Sequence, residues 1–144
     1  MNKTNCPFCK LLGKKDNDET FVCQMQSGSL YVHRDQCFRG RCIFILNTHI
    51  EEVTHMDMDQ FSKFSDEMLI IAKSIKRIFR PALINVALLG NGIQHLHWHI
   101  IPRYENDPNW GKPPWPHGHK FLTAEEYNEL SRVIYSDLGS VGNE

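Results

Sequence analysis

His95-Leu96-His97-Trp98-His99-Ile100-Ile101-Pro102-Arg103 sets an imidazole at every second residue, with Leu96, Trp98 and Ile100 in the places between. Successive side chains of a β-strand point to opposite faces, so this period predicts a strand with three histidines on one face and a buried apolar face behind, closed by Pro102. At about 3.3 Å of rise per residue, consecutive rings would stand roughly 6.6 Å apart. That is near enough to work on one substrate group and too far for ring-to-ring hydrogen bonds without tilting. Neutral imidazole both donates and accepts near pH 7, so such a row supplies a nucleophile, an acid and an orienting group, or three ligands to a metal. A three-histidine catalytic metal site would suffer from splay, and no water-activating partner is evident beside it. A strand with one wet face also carries histidines that have no chemistry.

Upstream of this strand, Ile84 to Leu89 reads as its partner, joined through Gly90-Asn91-Gly92. Glycines there permit close backbone approach and N–H groups aimed at a phosphate, although a hairpin turn alone accounts for them. Arg41 to Leu46 is a near-continuous apolar run, expected as a central strand covered on both faces and ending at Asn47-Thr48-His49. Thr20 to Met25 and Leu30 to His33 read as a hairpin around Gln26-Ser27-Gly28-Ser29. From Asp57 to Phe79 apolar residues recur at helical spacing, with Asp57 and Gln60 as a capping pair and Pro81 as the stop. Lys73, Lys76, Arg77 and Arg80 suit a solvated C-terminal half of that helix.

Downstream lies a long loop, Tyr104 to His119, whose Trp110 and Trp115 would stack on a base, cover a dimer surface, or anchor the loop on the core. Thr123-Ala124-Glu125-Glu126 is a capping box opening a short second helix to about Asp137, ended by Gly139 and followed by a frayed tail, residues 139–144. The whole is expected as one α+β domain, residues 1–144, with an N-terminal Cys-x-x-Cys segment over residues 1–15.

A chain of 144 residues, 41% of them hydrophobic, buries a real core in a single domain. Its formal net charge of -1 argues against a nucleic-acid groove or an anionic membrane surface and favours a small polar ligand. No run of 18 apolar residues occurs, and Met1 to Asn5 lacks the apolar core of a signal peptide, so the expected location is the cytoplasm. Five cysteines, an odd number, point to reduced thiols or a metal site in preference to a disulfide framework. Cys6-Pro7-Phe8-Cys9 would place two thiolates on one zinc, which needs two further ligands, or would leave two free thiols. A magnesium-binding carboxylate cluster and a Gly-x-x-x-x-Gly-Lys-Ser/Thr loop are both missing, so kinase chemistry is not supported.

Residues 95–101 meet the pattern His-φ-His-φ-His-φ-φ, with φ apolar, and this resembles the signature of the histidine-triad nucleotide hydrolases and transferases. Arg34-Asp35-Gln36, Gly40-Arg41-Cys42 and Leu89-Gly90-Asn91 are similar in order and spacing to a bacterial branch described as diadenosine-polyphosphate hydrolase-like. The match covers roughly residues 5–115.

The resemblance implies a five-stranded antiparallel sheet, pairing of two copies into a homodimer with a continuous sheet, and a nucleotide substrate. It implies reaction at the α-phosphate of a dinucleoside polyphosphate or nucleoside phosphoramidate, with no cofactor required. By position His97 would be the nucleophile, with His99 and His95 orienting it and binding phosphate oxygens. Asn91 would contact phosphate, and Asn85 would lie by the nucleotide. Relatives with the N-terminal cysteine pair hold zinc with two histidines, here His49 and His95 beside Cys6 and Cys9. Many relatives carry His where this chain has Arg41, which meets phosphate or carboxylate but cannot shuttle a proton. The ribose position falls on His33, with Asp35 two residues on, and stays unassigned. The alternative function is a non-catalytic, zinc-stabilised nucleotide-binding regulatory module, against which the intact triad speaks.

Overall fold

The computed structural model describes residues 1–141. Its strands are β1 (Phe21–Gln24), β2 (Gly28–Val32), β3 (Cys42–Leu46), β4 (Leu83–Leu89) and β5 (His97–Arg103). They form one antiparallel sheet in the order β1-β2-β3-β5-β4, the five-stranded architecture expected. Helices α1 (Pro7–Leu12), α2 (Met58–Phe79) and α3 (Ala124–Val141) complete the α+β fold.

The register sorts the side chains. Tyr31 of β2, Ile43 of β3, His99 of β5 and Ala87 of β4 stand in one row across the sheet, and Ser29, Ile45, His97 and Leu89 in the next. On the other face Leu30, Phe44 and Trp98 lie opposite one another. That second face carries the main core, where Phe44 stacks on Phe64 at 5.2 Å between centroids and Ile71, Ile75, Ile100 and Ile134 are fully buried. α2 and α3 cover it, because each presents an apolar stripe at helical period. Among the described helices the histidine face receives α1 alone, whose Phe8, Leu11 and Leu12 pack with Phe21 on Tyr31, Ile43 and Ile45. One face is thus filled by helices while the other stays open above β5.

α2 begins at the expected reciprocal cap, in which the Asp57 carboxylate accepts from the Gln60 N–H and the Gln60 side chain from the Asp57 N–H. It ends with Arg80 in the left-handed region, φ 50°. At Gly40, φ is 88°, and an added Cβ would meet the Phe79 ring at 2.6 Å, so only glycine fits the turn that feeds β3. Gln36 ties that turn together, donating to the carbonyls of His33 and Arg41 and accepting from the Gly40 N–H.

Three sequence expectations change. His95 lies outside β5, in the bend before it, with its N–H donating to Ile93 O at 2.9 Å, so only His97 and His99 occupy regular strand positions. Pro102 does not close the strand. Pairing with β3 stops at Cys42 and Ile100, so β5 has one neighbour beyond that point and tolerates a missing donor as far as Arg103. α3 passes through Gly139 to Val141, because Gly139 does not adopt the positive φ that ends a helix. It is therefore not short, at 18 residues, and of the tail, residues 142–144 lie outside the described residues.

The segment 104–119 is tied down, not structureless. Arg103, 2% exposed, clamps both carboxylate oxygens of Asp107 and donates to Asn85 Oδ1 and the carbonyls of Asn109 and Lys112. Asn109 Nδ2 in turn donates to Pro114 O and Pro116 O. This brings Trp115 and His117 back over the open face. Among the described residues no helix is long and apolar enough to cross a membrane.

Candidate active site

A cavity of about 670 Å³ opens on the histidine face. His97 and His99 form its floor, Phe8 and Leu11 of α1 with Tyr31 and His33 one wall, and Gly90 to Ile93 with Trp115 the other. Its size suits a small molecule such as a nucleotide.

The tautomer of each imidazole follows from its partners. The Nδ1–H of His97 donates to the His95 carbonyl at 2.6 Å, which leaves the Nε2 lone pair free. Burial holds this ring neutral by lowering its pKa from the ordinary value. His99 stands 4.9 Å from His97 between ring centroids, closer than the strand rise, because the two rings tilt edge to face. Its Nδ1 faces an Arg41 guanidinium nitrogen at 3.4 Å and must accept, so its Nε2 carries the proton. Burial first, then His97 and Arg41, push its pKa down to about 3. His33 accepts the Asp35 N–H on Nδ1 at 3.0 Å and keeps Nε2–H, with burial and then Arg41 lowering its pKa to about 4. The cavity lining therefore offers a lone pair on His97, beside the donor N–H groups of the neutral His99 and His33.

His95 turns away from this work. Its Nδ1 lies 3.4 Å from Cys6 Sγ, 3.5 Å from Cys9 Sγ and 3.2 Å from His49 Nδ1, and Cys9 Sγ is 3.3 Å from His49 Nδ1. Tetrahedral zinc with bonds of about 2.3 Å to sulfur and 2.05 Å to nitrogen would separate such atoms by roughly 3.3–3.8 Å. The Nε2–H groups of His95 and His49 donate to the carbonyls of Leu46 and Met1, so both Nδ1 lone pairs point inward at each other. Four electron-pair donors converging this way suit a cation. The sequence-derived set of Cys6, Cys9, His49 and His95 is one cluster in space.

Of the other residues singled out from sequence, Asn91 lines the cavity. Asn85 lines a neighbouring hollow with Trp110 and accepts from Arg103. Arg41 is 4% exposed, lies behind His99 and does not line the cavity. Sequence reasoning missed Phe8, whose ring meets His97 edge-on at 4.8 Å, and His117, which reaches Arg41. The one signal for His117 was Pro116-His117-Gly118-His119, two more imidazoles at alternate places where the long loop ends.

Comparison with known proteins gives a match to the HIT domain over residues 14–106. An uncharacterized HIT-like protein of Borreliella burgdorferi is 30% identical over 93% of this chain and 99% of its own length. A Zn-bound histidine triad family protein from Mycobacterium smegmatis superposes with a TM-score of 0.77 at 16% identity, covering 99% of each chain. The diadenosine triphosphate hydrolase of Plasmodium falciparum superposes with a TM-score of 0.69 at 14% identity, over 85% of this chain and 78% of that one. At these identities the structural likeness is one of fold.

Proposed function

This chain belongs to the HIT family, and from that membership we propose that it is a cytoplasmic nucleotide hydrolase or nucleotidyl transferase acting at the α-phosphate of dinucleoside polyphosphates or nucleoside phosphoramidates. The observation that carries the reading is His97, whose Nδ1–H is anchored on the His95 carbonyl so that an unprotonated Nε2 meets the cavity. In the first step the Nε2 lone pair attacks the α-phosphorus. The phosphorus–nitrogen bond forms as the bond to the leaving phosphate or amine breaks, and the leaving group takes the electron pair, an amine also taking a proton from solvent water. Water then attacks phosphorus and gives a proton to solvent, the bond to Nε2 breaks with its electron pair returning to Nε2, and a nucleoside monophosphate departs. His99 donates Nε2–H to a non-bridging oxygen, and Asn91 with the Gly90–Gly92 backbone faces the remaining phosphate oxygens.

Cys6, Cys9, His49 and His95 would hold a structural zinc, a reading supported by their converging donors and by the zinc-bound relative. The metal would cross-link α1 to the sheet and take no part in the reaction. Two copies would pair along β4, an edge strand with Leu83, Val86 and Leu89 exposed.

Purified protein screened against dinucleoside polyphosphates, nucleoside phosphoramidates and nucleotide sugars, followed by rapid quench with labelled substrate, tests the proposal. Expected are turnover of one of the first two classes and acid-labile, base-stable label on the protein. No turnover of any class, with nucleotide still bound, would overturn it in favour of a binding module.

A further inference from the structure

Arg41 is spent inside the protein. One guanidinium nitrogen lies 3.4 Å from His99 Nδ1 and another 3.3 Å from His117 Nε2, while the Trp115 ring sits 5.7 Å from the guanidinium carbon and edge-on to His99 at 5.5 Å. Arginine has five donors, no acceptor and no accessible neutral form. Both imidazoles must therefore accept at these atoms and carry their protons on the far nitrogens. For His117 this is Nδ1–H, which donates to the Gly118 carbonyl.

We propose that Arg41 and His117 are positioning residues for the triad, the Arg41 fork fixing His99 as the neutral Nε2–H tautomer and His117 holding the guanidinium in line. The proposal deepens the nucleotidyl-transfer reading and rests on it for the consequence in catalysis. With Nδ1 engaged, His99 presents a donor to the cavity. Were Nδ1 protonated instead, His99 would present a lone pair to a phosphate oxygen and repel it. His117 is well placed to hold the fork, since its side chain is 4% exposed, packs edge-on against Phe38 at 5.1 Å and has Asp35 Oδ2 3.9 Å from Nδ1. Asp35 is fixed in turn by His119 and by the N–H groups of Cys37 and Lys120.

The clustering of Asp35, His117 and His119 within 4.8 Å has another reading, a second metal site. The hydrogen bonds oppose it. Both nitrogens of His117 are already engaged, and a permanent cation lies against its Nε2. Lysine cannot replace the arginine, because one ammonium nitrogen does not span two acceptors that the fork reaches separately.

The test is two-bond nitrogen–proton correlation NMR on histidine-labelled protein at neutral pH, read together with steady-state kinetics. Wild-type His99 should show an unprotonated Nδ1 and a protonated Nε2. Arg41→Lys, Arg41→Met and His117→Leu should each shift His99 toward the Nδ1–H form and lower kcat by about tenfold to a hundredfold with KM within about threefold, since an oriented donor acts mainly in the transition state. His117→Gln keeps an acceptor for Arg41 and should restore the wild-type tautomer pattern. A wild-type spectrum with Nδ1–H on His99 overturns the proposal without any variant. So does an unchanged tautomer together with unchanged kcat in both Arg41→Met and His117→Leu. If no nucleotide substrate is turned over at all, the functional reading fails, while the NMR comparison still decides whether the fork sets the tautomer.

Discussion

Phe8 lies edge-on against His97, ring centroids 4.8 Å apart, and also against His95 at 6.0 Å. It stands between Cys6 and Cys9 in sequence, so the segment that brings these two thiols to His49 and His95 also places an aromatic ring on His97. Removing the cluster's ligands should loosen the cavity wall as well as the fold. Cys6→Ser with Cys9→Ser is expected to abolish about one equivalent of zinc, lower Tm and raise KM for nucleotide. Elemental analysis, thermal melts and kinetics on the same preparations check this, and wild-type protein free of zinc after zinc-supplemented expression would contradict it.

His97→Asn keeps a polar side chain on the floor but removes the nucleophile that the proposed reaction needs. Turnover should fall by several orders of magnitude, because a covalent route is not retained in part. Nucleotide affinity, measured by calorimetry, should change little, since binding rests on other residues. His99→Asn should be milder. Wild-type rates in His97→Asn would remove His97 from the mechanism.

Acid should act on His33 and Asp35 in turn. His33 has a folded pKa of about 4, below its ordinary 6.5, so the unfolded chain takes the proton first and stability falls as pH drops from 6.5 toward 4. The loss is at most about 1.4 kcal/mol per pH unit from this group. Burial works to raise Asp35 but is outweighed by His119, Lys120 N–H and Cys37 N–H, which hold it down to about 2. Its contribution is present above the ordinary 3.8 and lost as pH falls through that value toward 2. Urea melts of wild type and His33→Gln should diverge in slope only between pH 6.5 and 4, and parallel curves there would count against a neutral buried His33.

Pairing along β4 should give about twice the chain mass of 16.8 kDa by light scattering at micromolar concentration. Val86, 44% exposed on that strand, is the place to break it. Val86→Glu should yield a monomer with an unchanged far-ultraviolet spectrum. A wild-type monomer across that range would dispose of the dimer.

What was legible in the sequence was what short-range periodicity encodes. The strand period of residues 97–101, the apolar run of β3 and the capping pair at Asp57 and Gln60 each declare a local conformation, because side-chain alternation and caps act over a few residues. The triad pattern, the cysteine pair and their resemblance to a family identified the fold and grouped Cys6, Cys9, His49 and His95. Tertiary structure alone decided how those pieces divide the work. His95 repeats the strand period yet leaves the strand, because its ring joins Cys6, Cys9 and His49 and its backbone bends to Ile93. Gly139 looks like a stop yet stays helical. Arg41 and His117 are 76 residues apart in sequence and meet behind His99 only because the Arg103 clamp folds the long loop back across the sheet. Proton placement on His97, His99 and His33 depends on a carbonyl, a guanidinium and a backbone N–H fixed by that packing. A linear sequence carries the donors and acceptors, but their pairing is a property of distances that exist only in the folded chain.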